Sequence, residues 1–203
     1  MKESRRADRR IQIEAAALAV LVEKGYAGTS MLEVAKRAKA SNETLYRWYG
    51  EKNGLFAAIV KRNASAGLDQ LQKALVDDGP LDEKLARFGA SLLKGALSDS
   101  AIELNRAAMA DPSGKLGASI AKHGRNTVVP MLTSLLKAQR SFGAFTDASD
   151  AAEAFIFLLI GDRQARRAIG QLPEPDMATC QTHARIATNR FLSLFGAKSP
   201  VPA

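Results

Sequence analysis

The amino-acid sequence predicts an all-α protein, and three observations predict it. Apolar residues recur at helical spacing along most of the 203 residues, no stretch sustains the period-2 alternation of a strand, and the periodic segments are separated by helix stop and start signals. The composition, 46% hydrophobic and 25% charged, is that of a globular chain long enough to bury a core, which excludes a disordered or collagen-like polymer. The single cysteine, Cys180, cannot pair within the chain, so a disulfide-built module is excluded and a reducing cytoplasm is the expected location. The N-terminus, MKESRRADRR, is charged where an export signal needs an apolar run. The longest apolar runs, near residues 15–22 and 154–160, fall short of the roughly 18–20 residues that span a bilayer.

The first helix is expected from about Arg6 to Lys24, rich in Ala and Leu and closed by Gly25, a residue suited to the left-handed C-terminal position. Ser30-Met31-Leu32-Glu33 has capping-box spacing: the Ser30 hydroxyl accepts from the third amide while Glu33 reaches back to the amide of Ser30. A short second helix follows, with Met31, Val34, Ala35 and Ala38 on one face. Ser41 caps a third, running through about Trp48, with Leu45 and Tyr49 inward. Two short helices joined by a tight turn make a helix-turn-helix. The fourth helix starts near Lys52, carries Leu55, Phe56, Ile59, Val60, Leu68, Leu71 and Leu75, and stops at Asp77-Asp78-Gly79-Pro80.

Beyond Pro80 the helices lengthen. One is marked by Leu81, Leu85, Phe88 and Leu92; a short one near 101–110 ends at Asp111-Pro112; a long stretch, about 115–140, is expected to bend or break at Pro130. Residues 148–170 and 175–195 supply two more helices, and the tail GAKSPVPA is expected to fray.

Charge is unevenly placed. Residues 1–62 hold 13 Lys/Arg against 7 Asp/Glu, whereas residues 63–203 hold 16 against 14. A basic end on a nearly neutral body points to an anionic partner touched by one part only, nucleic acid first and an anionic membrane surface second. An enzyme has little to rest on: the two histidines, His123 and His183, lack paired zinc spacing, and there is no Gly-rich phosphate loop or Gly-x-Ser-x-Gly elbow. No cofactor or metal is expected, and Cys180 lies on an apolar stripe where a structural thiol is the natural reading.

Residues 16–60, AALAVLVEKGYAGTSMLEVAKRAKASNETLYRWYGEKNGLFAAIV, resemble the N-terminal signature of the tetracycline-repressor (TetR/AcrR) family of bacterial transcriptional regulators. The resemblance is carried by EKGY at 23–26, TS at 29–30, the LEVAKRA spacing at 32–38, TLY at 44–46 and LF at 55–56. It implies a three-helix DNA-binding head, residues 1–52, on a larger helical body, residues 53–203, that dimerises and holds a small-molecule inducer. It further implies a homodimeric repressor on a palindromic double-stranded DNA operator, its recognition helices about 34–36 Å apart. An activator, or a non-specific basic protein bound to DNA or a membrane surface, is the alternative.

Carried over to this sequence, Ser30 and Lys52 sit at helix N-termini that favour a phosphate, and Tyr46 matches a phosphate-bonding tyrosine. Asn42, Glu43 and Thr44 are the base-contact candidates, through adenine, the cytosine amino group and the thymine methyl respectively. Ser41, Arg47 and Trp48 complete the expected surface. Lys39-Ala40 stands where Gly-Val is common, so Lys39 is expected to bear a positive φ at roughly 1–2 kcal/mol and to add a phosphate contact. Trp48-Tyr49 replaces His-Phe, and the fourth helix starts without a capping box. Arg5, Arg6, Arg9 and Arg10 form either an N-terminal arm on the DNA or a disordered basic tail.

In the body, His123 lies on the stripe Leu116, Ile120, His123, Thr127, Met131 and is a candidate ligand contact, with a satisfied core histidine as the alternative. Arg106 is a second candidate, with a surface position as its alternative. The segment AAEAFIFLLIG at 151–161 is apolar nearly all round, and the last helix aligns Met177, Cys180, Ala184, Ala187, Phe191 and Leu194. Phe155, Leu158, Leu159, Ala184, Ala187 and Phe191 are therefore the expected dimer interface, an intramolecular core being the alternative.

Overall fold

The computed structural model describes residues 2–138 and 147–195, and every regular element among them is a helix. In chain order these are α1 (Lys2–Gly28), α2 (Met31–Arg37), α3 (Asn42–Tyr49), α4 (Lys52–Val76), α5 (Leu81–Ala96), α6 (Asp99–Met109), α7 (Lys115–His123), α8 (Arg125–Lys137), α9 (Ala148–Ile160), α10 (Arg163–Ala168) and α11 (Met177–Phe195). The expected frayed tail, residues 196–203, lies outside the described residues.

Two compact units divide the chain, residues 1–63 with 99–124 and residues 64–98 with 125–203. They do not follow a boundary at residue 52, because α6 and α7 return to the first unit: Leu104 and Leu116 are buried in the same core as Ile13, Ala17 and Leu21 of α1. Val34 of α2, Leu45 of α3 and Leu55, Phe56 and Ile59 of α4 complete that core, each fully buried. Burial of such side chains stabilises by about 1.5–3 kcal/mol apiece, and this is what holds helices as short as α2 and α3 that would not persist alone.

The second unit is built on Leu71 of α4, Leu85, Phe88 and Leu93 of α5, Leu132 and Leu136 of α8, Phe155 and Leu159 of α9, and Ala184 and Phe191 of α11. Phe155 sits between Phe88 and Phe191, with ring centroids 6.0 and 5.3 Å away. Five of the six residues expected at a dimer interface thus lie in the core of one chain. Phe155, Leu159, Ala184, Ala187 and Phe191 are at most 3% exposed within one chain, and Leu158 is half-buried against them. The all-round apolar character of α9 arises because it packs on both α8 and α11. What α9 and α11 leave to solvent is a different set: Phe157 at 76% exposure, Leu194 at 68%, Met177 at 44% and Ile186 at 43%.

Two helix breaks differ from expectation. The 115–140 stretch parts at Gly124 (φ −108°, ψ −101°), not at Pro130, which lies inside α8. Pro130 and Asn126, whose carbonyl loses the proline as a donor, are both exposed, so the missing bond falls on the solvent side and the helix continues. The 148–170 stretch parts at Gly161, whose φ of 52° and ψ of −133° a side chain would resist. Arg163, just past that break, donates to the carbonyls of Leu159 and Ile160 at the end of α9, as the helix dipole favours. Arg167 is buried, its Nε donating to the Leu97 carbonyl at 3.1 Å, where α5 ends.

Candidate nucleic-acid interface

The helix-turn-helix forms from local signals. Ser30 caps α2 by accepting from the Glu33 amide at 3.2 Å, but the reciprocal half of the expected box is absent: Glu33 turns its carboxylate to Lys24 and the Ser30 hydroxyl. An ammonium outcompetes a backbone amide for a carboxylate. At the far end the Ala40 amide donates to the Ala35 carbonyl at 2.9 Å, a six-to-one closure that places Lys39 in the left-handed position at φ 50°. Among the described residues Lys39 is the only non-glycine with positive φ, as its place in the turn predicts. The Arg9 guanidinium holds the turn by donating to the Lys39 carbonyl at 2.5 Å.

Ser41 then caps α3, accepting from the Thr44 amide at 3.0 Å, and its hydroxyl meets the Thr44 hydroxyl at 2.8 Å. Leu45 is buried and pins the helix to the core, leaving Ser41, Asn42, Glu43, Tyr46 and Arg47 exposed on one face. Tyr46 is 52% exposed and Arg47 lies 3.7 Å from Glu43, a loose pair between solvated side chains. Thr44 is half-buried with its hydroxyl engaged by Ser41. Trp48 is half-buried, packs on the core of the head and lies under the guanidiniums of Arg6 and Arg10, 5.5 and 5.8 Å from its centroid. The segment holding Arg5, Arg6, Arg9 and Arg10 is thus helical, part of α1.

Lys52 departs from expectation. Its ammonium turns inward, donating to the Tyr26 carbonyl at 2.6 Å over the Tyr26 ring, and burial lowers its pKa. Gly54 lets the start of α4 approach α3, since a Cβ there would fall 2.0 Å from the Tyr49 carbonyl oxygen. Gly54→Ala is expected to destabilise the head by about 1–3 kcal/mol, read from its denaturant midpoint; an unchanged midpoint would contradict this packing.

Sequence reasoning missed a buried carboxylate, Glu14, whose cation reaches it from the surface. Glu14 of α1 is 5% exposed, and its carboxylate lies 2.6 Å from Arg62 of α4 and accepts from the Tyr49 hydroxyl at 3.5 Å. Burial raises the Glu14 pKa, opposed chiefly by Arg62, and burial beside Glu14 pushes the Tyr49 phenol up to about 12. The signal was available: Glu14 falls at helical spacing with the buried Ala17 and Leu21.

The body candidates are not brought to a common cavity. His123 Nδ1 lies 3.0 Å from the Ser119 carbonyl of its own helix, and Gly124 breaks the stripe before Thr127. Arg106 pairs with Glu103 at 2.6 Å on the surface. In the second unit a cleft of about 400 Å³ is lined by Gln70, Arg87, Ser91, Met177, Gln181 and Arg185 among others. No helix among the described residues is long and apolar enough to cross a membrane.

Comparison with known proteins agrees with this geometry. Residues 13–59, which contain α2 and α3, match the family described as bacterial regulatory proteins, tetR family; residues 83–197 match the AefR-like transcriptional repressor, C-terminal domain. The chain belongs to the TetR family of transcriptional regulators. As a TetR-family protein it is a helix-turn-helix transcriptional regulator and not an enzyme. The HTH-type transcriptional regulator YvkB of Bacillus subtilis (strain 168) is 33% identical over 79 residues, 39% of this chain and 40% of that relative's length. A TetR transcriptional regulator from Agrobacterium tumefaciens is 29% identical with a TM-score of 0.68, covering 94% of this chain and 95% of that one. A TetR-family regulator from Mesorhizobium loti MAFF303099 shares the fold at a TM-score of 0.70 and 24% identity, covering 94% and 98%.

Proposed function

We propose that this TetR-family regulator is a homodimeric repressor that binds a palindromic operator and is released from it by a small molecule. The exposed face of α3 carries the DNA half of this reading: Asn42 and Glu43 for base edges, Ser41, Tyr46 and Arg47 for the backbone. The likeness of residues 83–197 to the C-terminal domain of a transcriptional repressor supports repression over activation. Phe157, Ile186 and Leu194, three of the apolar side chains that α9 and α11 leave in water, are the residues assigned to the dimer contact, while Met177 lines the cleft. The cleft beside α5 and α11 has a volume that small ligands fill, and its guanidiniums and carboxamides would select a polar inducer. Release requires that the inducer bind the DNA-incompatible state more tightly than the DNA-bound one.

Selection from a random duplex library in excess non-specific competitor tests the DNA half. An inverted repeat with half-sites about one helical turn apart is expected. Binding abolished by competitor, with no sequence enriched, would reduce the head to an electrostatic patch. Derepression of a reporter when the regulator is deleted is the result expected of a repressor; loss of transcription would make it an activator.

Lys39 gives a local test of the same surface. Lys39→Gly is expected to stabilise the head by about 1 kcal/mol, by removing the left-handed strain of a side-chain-bearing residue. It is also expected to weaken operator binding and to lower the slope of log K against log salt by about 0.9, one phosphate contact. Unchanged affinity and slope would remove Lys39 from the interface.

A further inference from the structure

We propose that Trp48 is a platform that presents Arg6 and Arg10 together to the phosphate backbone alongside α3. This inference rests on the DNA-binding reading above. Arg6 and Arg10 are four residues apart on α1 and so share one face, and both guanidiniums lie over the same indole, 5.5 and 5.8 Å from its centroid. The indole itself is held, half-buried against the core of the head and edge-on to Tyr49 at 6.5 Å. A guanidinium held against a ring face by cation–π attraction is ordered before the DNA arrives, and its five N–H donors remain for phosphate oxygens. Without the ring, two long side chains on a solvated helix end would have to be ordered by the DNA alone, at an entropic cost.

Position along α3 decides which DNA group they meet. Trp48 lies six residues past Asn42, about 9 Å along the helix axis at 1.5 Å per residue. The base-contact candidates occupy the first turn of α3, and the major groove is about 12 Å wide, so the far end of α3 stands at the groove wall, where phosphates lie. Arg9, on the same segment, is bonded to the Lys39 carbonyl, which ties this part of α1 to the turn before α3.

The test uses the full chain and the duplex that the wild-type protein enriches, titrated by fluorescence anisotropy across salt concentrations. The double variant Arg6→Ala/Arg10→Ala is expected to lose two phosphate contacts, lowering the salt slope by about 1.8. Over a fourfold rise in salt it would then lose about twelvefold less affinity than wild type. Trp48→Phe keeps an aromatic face and is expected to keep the wild-type slope; Trp48→Leu is expected to fall toward the double variant. A structural role alone would weaken binding without moving the slope. Because Trp48 is the only tryptophan in the chain, its emission also reports the stack: the double variant is expected to change it in the free protein. A wild-type slope in the double variant, or in Trp48→Leu with native helicity, overturns the proposal. If Trp48→Leu does not fold, the double variant's slope and its Trp48 emission decide, and no change in either overturns it. Failure of the wild type to enrich any duplex would instead overturn the reading on which this rests.

Discussion

Phe155→Ala is expected to destabilise the second unit by about 3–5 kcal/mol, the largest single effect foreseen. The side chain is fully buried between Phe88 and Phe191, so its removal forfeits the transfer energy of a phenyl group and leaves a cavity that two neighbouring rings cannot close without losing their own contacts. Urea unfolding followed by circular dichroism measures the loss. Since Phe155 belongs to the core of one chain, the destabilisation is expected to persist on tenfold dilution. Phe157→Ala, two residues on and exposed, is expected to change intrinsic stability by no more than about 0.5 kcal/mol while weakening self-association in sedimentation. A Phe155→Ala protein that unfolds within about 1 kcal/mol of wild type would return Phe155 to an interface.

The second large effect is expected at Glu14 and Arg62. Arg62→Ala leaves a buried carboxylate without its cation and is expected to cost about 3 kcal/mol at neutral pH, the low end for breaking a buried pair because Arg62 itself is partly hydrated. Glu14→Gln should do the opposite or nothing, since it removes the buried charge and keeps the shape. The pH dependence follows from the raised pKa of Glu14. Between its unfolded and folded values the native state holds the extra proton, so this group's contribution to stability falls as pH rises through the window and returns as pH falls. The Arg62→Ala penalty therefore shrinks on acidification as Glu14 protonates, and the gap between Glu14→Gln and wild type closes. An Arg62→Ala penalty that stays constant from neutral pH to below the ordinary carboxylate range would refute the assignment.

Much of the head was legible in the sequence because its signals are local. Ser30 and Ser41 accept from amides three residues ahead, Gly25 (φ 67°) ends the first regular stretch of α1, and Lys39 bears the positive φ its place in the turn requires. The errors arose where a side chain had a choice of partner. Glu33 took Lys24 over an amide, and Lys52 took the Tyr26 carbonyl over solvent. Spacing along one helix does not rank partners supplied by another. The Pro130 expectation failed similarly: proline removes a hydrogen bond wherever it stands, but whether the helix breaks depends on which face loses it, and here that face is in water.

By itself, the sequence determined the helical class, the helix-turn-helix and its caps, the basic bias of the first third and the family. These depend on contacts within a few residues or on composition. Tertiary structure decided that Phe155, Leu159, Ala184, Ala187 and Phe191 face inward while Phe157, Ile186 and Leu194 face out. It also decided that Glu14 meets Arg62 and that Trp48 carries two arginines. An apolar stripe states that a helix must bury a face but not against what; that choice belongs to the other helices, which compete for the same surface once the chain has folded back on itself.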